Sequence, residues 1–209
     1  MIFLWSPQCW HNTNVIVTMT FMPQLWVLDR LYTLADAQVG HFTASQAEEV
    51  GVDRRYLTHH VQSGNLERVD RGIYRLRNYP SHRFEDVMVA ILWVGGGAAA
   101  SHATALAIYD LADAMPPVIH ITVDRRFRGS RRGVIVHQTR LEERDVTRRD
   151  GIPVTTPLRT ITDVASDQSV AVAAATGAIE RGLIRASQLR DATQGRPQLA
   201  EILARMPSG

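Results

Sequence analysis

Arg54, Arg55, Thr58, His59 and Gln62 are spaced so that a helix turning roughly 100° per residue carries all five on one side. Their groups are those that read nucleic-acid base edges. A guanidinium forks onto guanine, an amide pairs with adenine, and a hydroxyl meets a phosphate or the thymine methyl. Tyr56, Leu57, His60 and Val61 fall on the opposite side, as a stripe that would bury against the rest of the fold. A merely solvated helix face has the same composition, so the neighbouring segments decide between the readings.

Those neighbours supply a frame. In FTASQAEEVG, Thr43 followed by Gln46 forms a capping-box pattern, which predicts a helix from Ala44. Gly51 suits a tight helix–helix corner, Asp53 caps the second helix, and Ser63-Gly64 ends it. NLERVDRGIYRLR then reads as a β-hairpin turning at Asp70-Arg71-Gly72. Arg71 stands at its tip, with Arg68, Arg75 and Arg77 on its arms. Between Arg54 and Arg77 six arginines stand against only Glu67 and Asp70. A wing charged in this way suits phosphates, which position a protein on a duplex without reading its sequence. Leu25, Leu28, Leu31, Tyr32 and Ala35 predict a preceding helix, so residues 25–80 are expected to form a winged helix-turn-helix, with 78–81 as the linker.

Composition narrows the chemistry. The chain has 209 residues, 45% of them hydrophobic, and a formal net charge of +2, so nucleic-acid binding would rest on local patches. All 23 basic residues are arginine. A P-loop, an ordinary protein kinase and a nuclease with a catalytic lysine each need a lysine, so none of those sites can be built in its usual form. The single Cys9 excludes a disulfide framework and a cysteine-rich zinc site, and a reducing cytoplasm is the expected compartment. Residues 1–24 read as an extension foreign to the rest, with Met19 and Met22 as alternative starts. Ser6-Pro7, His11-Asn12 and Pro23 interrupt their apolar runs, so neither a secretory signal nor a membrane span is expected.

A second domain is expected over 81–209. Phe84, Val87, Met88, Ile91 and Leu92 predict an amphipathic helix ended by Gly95-Gly96-Gly97; without a lysine the triple glycine reads as a terminator, not a phosphate loop. Ser101 is expected to cap SHATALAIYDLADA, and residues 118–123 to form a buried strand. Arg125, Arg126, Arg128, Arg131 and Arg132 cluster around Gly129-Ser130 before a strand at 134–138. They form either a solvated hairpin loop or a surface for phosphate, nucleic acid or an acidic partner. Thr156-Pro157 marks a helix start on which Arg159 and Asp163 can pair along the polar side. From Ser169 onward the chain reads as helical, with a short helix capped at Ser187. His59 and His60 face different sides of their helix, and His102, His120 and His137 lie in separate elements. No metal site is therefore expected. The class is α+β: an N-terminal winged helix-turn-helix, then a mixed α/β domain with a small sheet and a helical C-terminus.

The pattern FTASQAEEVGV…YLTHHVQSGNLERVDRGIYRL, followed by SHATALAIYDL and IPVTTPLRTITDVA, resembles the AbiEi-type antitoxins of bacterial toxin–antitoxin pairs over about residues 25–205. The resemblance implies an antitoxin that neutralises a nucleotidyltransferase-like toxin and represses its own operon on inverted-repeat double-stranded DNA; the oligomeric state is open, a homodimer on DNA being one option. It also implies base contacts from Arg54, Arg55, Thr58, His59 and Gln62 and phosphate contacts from Arg68, Arg71 and Arg75. Antitoxicity would lie in the domain from His82 onward. No cofactor and no membrane partner are expected. The alternative is an atypical serine/threonine kinase that phosphorylates the toxin. It would use ATP, with Asp124, Arg125, Arg126 and the Ser101-His102 pair as its groups.

Overall fold

The computed structural model describes residues 29–112, 115–194 and 197–206. The expectations for residues 1–24 and for Leu25 and Leu28 lie outside the described residues. A first helix (α1) runs over 29–36, followed by β1 (His41–Thr43), α2 (Ala44–Glu49) and α3 (Arg54–Gln62). A hairpin of β2 (Leu66–Asp70) and β3 (Ile73–Leu76) completes a three-stranded antiparallel sheet in the order β1-β3-β2. The capping box at α2 is present in full: the Thr43 side chain accepts from the Gln46 amide, and the Gln46 side chain accepts from the Thr43 amide. The corner between α2 and α3 turns on Gly51 at φ 92°, a left-handed conformation that L side chains resist. Leu31, Ala35, Phe42, Ala47, Val52, Leu57, Leu66 and Leu76 close over one another as the core of this unit.

The rest of the chain builds a second sheet. Helix α4 (Glu85–Val94) leads into β4 (Ala99–Ala100), α5 (His102–Ile108), β5 (Ile119–Val123) and β6 (Val134–Gln138). Strands β7 (Val146–Arg149) and β8 (Ile152–Thr155) follow, and the sheet order is β6-β5-β4-β8-β7. Ile121, Val123, Ile152 and Val154 turn toward Val87, Met88, Ile91 and Val94 of α4, forming the second core. Helices α6 (Pro157–Asp163), α7 (Gln168–Glu180), α8 (Ala186–Ala192) and α9 (Pro197–Arg205) end the chain. Their core joins Ile161, the alanines 171, 174, 175 and 178, Leu189, Leu199 and Ile202. The architecture is α+β, with small sheets and a helical C-terminus. Among the described residues no helix is long and apolar enough to cross a membrane.

Four expectations change. β5 and β6 are parallel, with His120 beside Ile135 and Thr122 beside His137, so the arginine-rich segment is a crossover and not a hairpin loop. It is held shut where Gln138 exchanges two hydrogen bonds with the Phe127 backbone and Phe127 meets Trp93 edge-on at 5.0 Å. The expected cap at Ser101 is at the right position, but its hydroxyl makes no capping bond, and the helix stops at Ile108. The short helix α8 is capped at Arg185, not Ser187. Arg159 and Asp163 do pair, yet on a buried side, where Asp145 joins them.

The segment read as a linker is fastened. Tyr79 covers Gly40, where a Cβ would run into its ring, and its hydroxyl donates to Asp36 at 3.0 Å.

Candidate nucleic-acid interface

Helix α3 begins at Asp53, whose carboxylate accepts from the Tyr56 amide at 2.7 Å. That anchor sets the rotation of everything after it. Leu57 is fully buried, Tyr56, His60 and Val61 are partly covered, and Arg54, Arg55, Thr58, His59 and Gln62 are all exposed. The Tyr56 and His60 rings meet at 4.1 Å, tilted by 35°, on the covered side. The expected two-sided helix is therefore present, and no segment among the described residues covers its polar side. Two of its members make local hydrogen bonds. Arg54 donates to Glu48 at 2.8 Å across the surface, and the Thr58 hydroxyl donates to the Arg54 carbonyl. An exposed ion pair of that kind contributes about 0–1 kcal/mol, so it is no barrier to a competing anion.

The hairpin places Arg68 and Arg71 in solvent, with a register irregularity between Arg68 and Asp70 that bends the arm. Arg75 is different, and its expected role as a phosphate contact is corrected. It is only 8% exposed; its guanidinium donates to Glu85 at 3.0 Å and to the carbonyls of Leu76, Arg77 and Tyr79. On this strand the alternation turns Arg75 toward α4, and its two terminal nitrogens are engaged in fastening the chain there. Glu85 is held below the usual carboxylate range: burial pushes it up, but the His82 amide and Arg75 outweigh that.

The five arginines of the crossover divide. Arg125 donates to the Val94 carbonyl and lies over Phe127, so it closes the end of α4. Arg131 pairs with Asp70 at the wing and lies over Trp93 at 6.0 Å. Arg126, Arg128 and Arg132 are exposed and have no partner among the described residues. The Arg131–Asp70 pair brings this cluster beside the wing, a juxtaposition that sequence spacing could not reveal.

The groups considered for phosphotransfer are not assembled. Ser101 is fully buried and accepts from the Thr122 hydroxyl at 2.7 Å. The groove at Gly96, Gly97, Asp124 and Arg125 has a volume of about 520 Å³, and Arg148 enters it together with Glu142 and Glu143. Those carboxylates oppose an anionic guest.

Sequence reading missed one constellation. His102, His120 and His137, expected to lie apart, meet on the face of β5 and β6 that α5 covers. Their rings stack, with His102 and His137 centroids 3.7 Å apart, and His120 Nδ1 lies 3.0 Å from His137 Nε2. Burial lowers the pKa of all three; His102, further opposed by His137, His120 and Arg159, falls to about 4. The parallel pairing of β5 with β6 is what aligns them, and no periodicity in the sequence announces it.

Residues 29–77 match the family model described as "Transcriptional regulator, AbiEi antitoxin". No curated protein matches the chain. Among solved structures the chain is similar to the RV2827C protein from Mycobacterium tuberculosis, at 14% identity and a TM-score of 0.48, over 86% of this chain and 76% of that one.

Proposed function

We propose, on the match of residues 29–77 to the family model of AbiEi antitoxin regulators, that the chain binds operator DNA through α3 and the wing. By this reading it represses its own operon and neutralises a toxin of the nucleotidyltransferase kind. The observation that carries the DNA half is the uncovered polar side of α3, set by the fully buried Leu57 beneath it. Arg54, Arg55, Thr58, His59 and Gln62 would face base edges, and Arg68 and Arg71 the phosphates. The toxin half rests on the family description and on the separate α/β and helical body that follows the wing.

The test is a fluorescence-anisotropy titration with duplex from upstream of the chain's own gene, against a scrambled duplex, at several salt concentrations. Arg55→Ala should cost about 1–3 kcal/mol on the operator and relax its specificity. Arg71→Ala should weaken both duplexes alike and flatten the salt slope by about one unit. Equal, salt-insensitive binding by the wild type and both variants would refute the assignment. Co-expression with the neighbouring gene product, scoring growth, tests the toxin half separately.

A further inference from the structure

We propose that His102, His120 and His137 form a binding site for a divalent transition-metal ion of the zinc type. Each offers one ring nitrogen, and these nitrogens all lie within 4.8 Å of one another. Zinc binds imidazole nitrogen at about 2.0–2.1 Å, so ligand nitrogens around one ion stand about 3.4 Å apart. The His120–His137 nitrogens, at 3.0 Å, are slightly inside that spacing, and the stacked rings would turn so that their in-plane lone pairs converge on the ion.

The surroundings favour this reading over a simple stack of rings. The three residues come from three elements, the start of α5 and the adjacent strands β5 and β6, so one ion would tie them together. Between them the rings make two hydrogen bonds, one within the trio and one from His102 Nδ1 to Ser101 Oγ at 3.0 Å; the other ring nitrogens have no partner among the described residues. The Ser101 hydroxyl is in turn bonded by Thr122, and both are fully buried. That chain fixes the His102 ring from behind, as outer hydrogen bonds commonly do for metal-bound histidine. His102 also holds a left-handed backbone, φ 49°, a conformation costly for a non-glycine residue and found where a side chain must be aimed. The charge of nearby Arg159 is met by Asp145 and Asp163. Three imidazoles with no carboxylate or thiolate suit zinc, nickel or copper over magnesium or calcium. Three protein ligands leave a fourth position for water or for a group from a bound partner.

The full-length chain, stripped with a chelator, should take up one zinc ion per chain at micromolar concentration, measured by elemental analysis after gel filtration and by calorimetry. Cobalt in its place should show the visible absorption of a four-coordinate ion, and zinc should raise the melting temperature. His120→Gln with His137→Gln should lose at least tenfold in affinity and abolish the cobalt band. His59→Gln with His60→Gln should change neither. His137→Gln alone, on the edge strand β6, provides the same comparison should the double variant lose its circular dichroism. No uptake by the wild type at micromolar zinc, or undiminished uptake by folded His137→Gln, would overturn the site.

Discussion

Arg131 and Asp70 form an ion pair across 61 residues of sequence, and it fastens the wing to the arginine-rich crossover. Asp70 is thereby a carboxylate on the wing whose charge opposes the phosphates that Arg68 and Arg71 would meet. Asp70→Asn is expected to cost no more than about 1 kcal/mol of stability, because both partners are about one-third exposed. It should tighten duplex binding and steepen the salt dependence by about one unit as Arg131 is released to the phosphates. Weaker binding with a shallower slope would mean that the pair shapes the wing instead of restraining its charge.

Arg75 should behave in the opposite way. Arg75→Ala strips Glu85 and three carbonyls of their donor and should destabilise the protein by about 2–3 kcal/mol, read from urea unfolding. Arg68→Ala and Arg71→Ala, both in solvent, should stay within about 0.5 kcal/mol of the parent.

The contrast marks where sequence reading reaches and where it stops. Thr43, Gln46, Gly51 and Asp53 specify their helices through local bonds, so the helix-turn-helix was legible residue by residue. Arg75 sits on the same short hairpin as Arg68 and Arg71, but only the packing of α4 against β3 shows that its side chain points inward. The strands β4, β7 and β8 escaped notice because β4 is two residues long and Arg148 and Arg149 give β7 the look of a loop. The histidine cluster depends on β5 and β6 running parallel. The crossover that joins them is held by the Gln138–Phe127 bonds and the Trp93–Phe127 contact, none of which local periodicity announces.

The buried charges around α6 allow a sharper stability test. Arg159 donates to Asp163 at 2.7 Å and to Asp145 at 3.0 Å, and all three side chains are nearly enclosed. Arg159→Met would remove the guanidinium that answers two nearly enclosed carboxylates and should cost about 3–5 kcal/mol in the urea midpoint analysis. A loss below about 1 kcal/mol would show that water reaches both acids.

Acid should loosen the junction between the wing unit and the second sheet. Burial lowers the pKa of His41 below 6.5, against the opposing pull of the Val39 carbonyl and Glu85, with Arg75 adding to the lowering. Below pH 6.5 the unfolded chain therefore takes up a proton that the folded ring refuses, and stability falls as pH drops through that range. Glu85, depressed from 4.5, adds a second decline as pH falls from there through its folded value. Urea midpoints measured from neutral to acid pH should be level above 6.5 and fall below it, with His41→Gln removing part of the upper decline. A rise in stability on acidification would contradict the sign.

Arg75 donating to Glu85 of α4, and Arg148 of β7 donating to the Ala37 carbonyl, tie the N-terminal head to the body that follows it. Were two copies to associate through their bodies, the distance between their heads would be fixed by that association alone. Such a pair would act as a calliper of one setting, accepting operators whose half-sites match its span and passing over those lengthened by even a few base pairs.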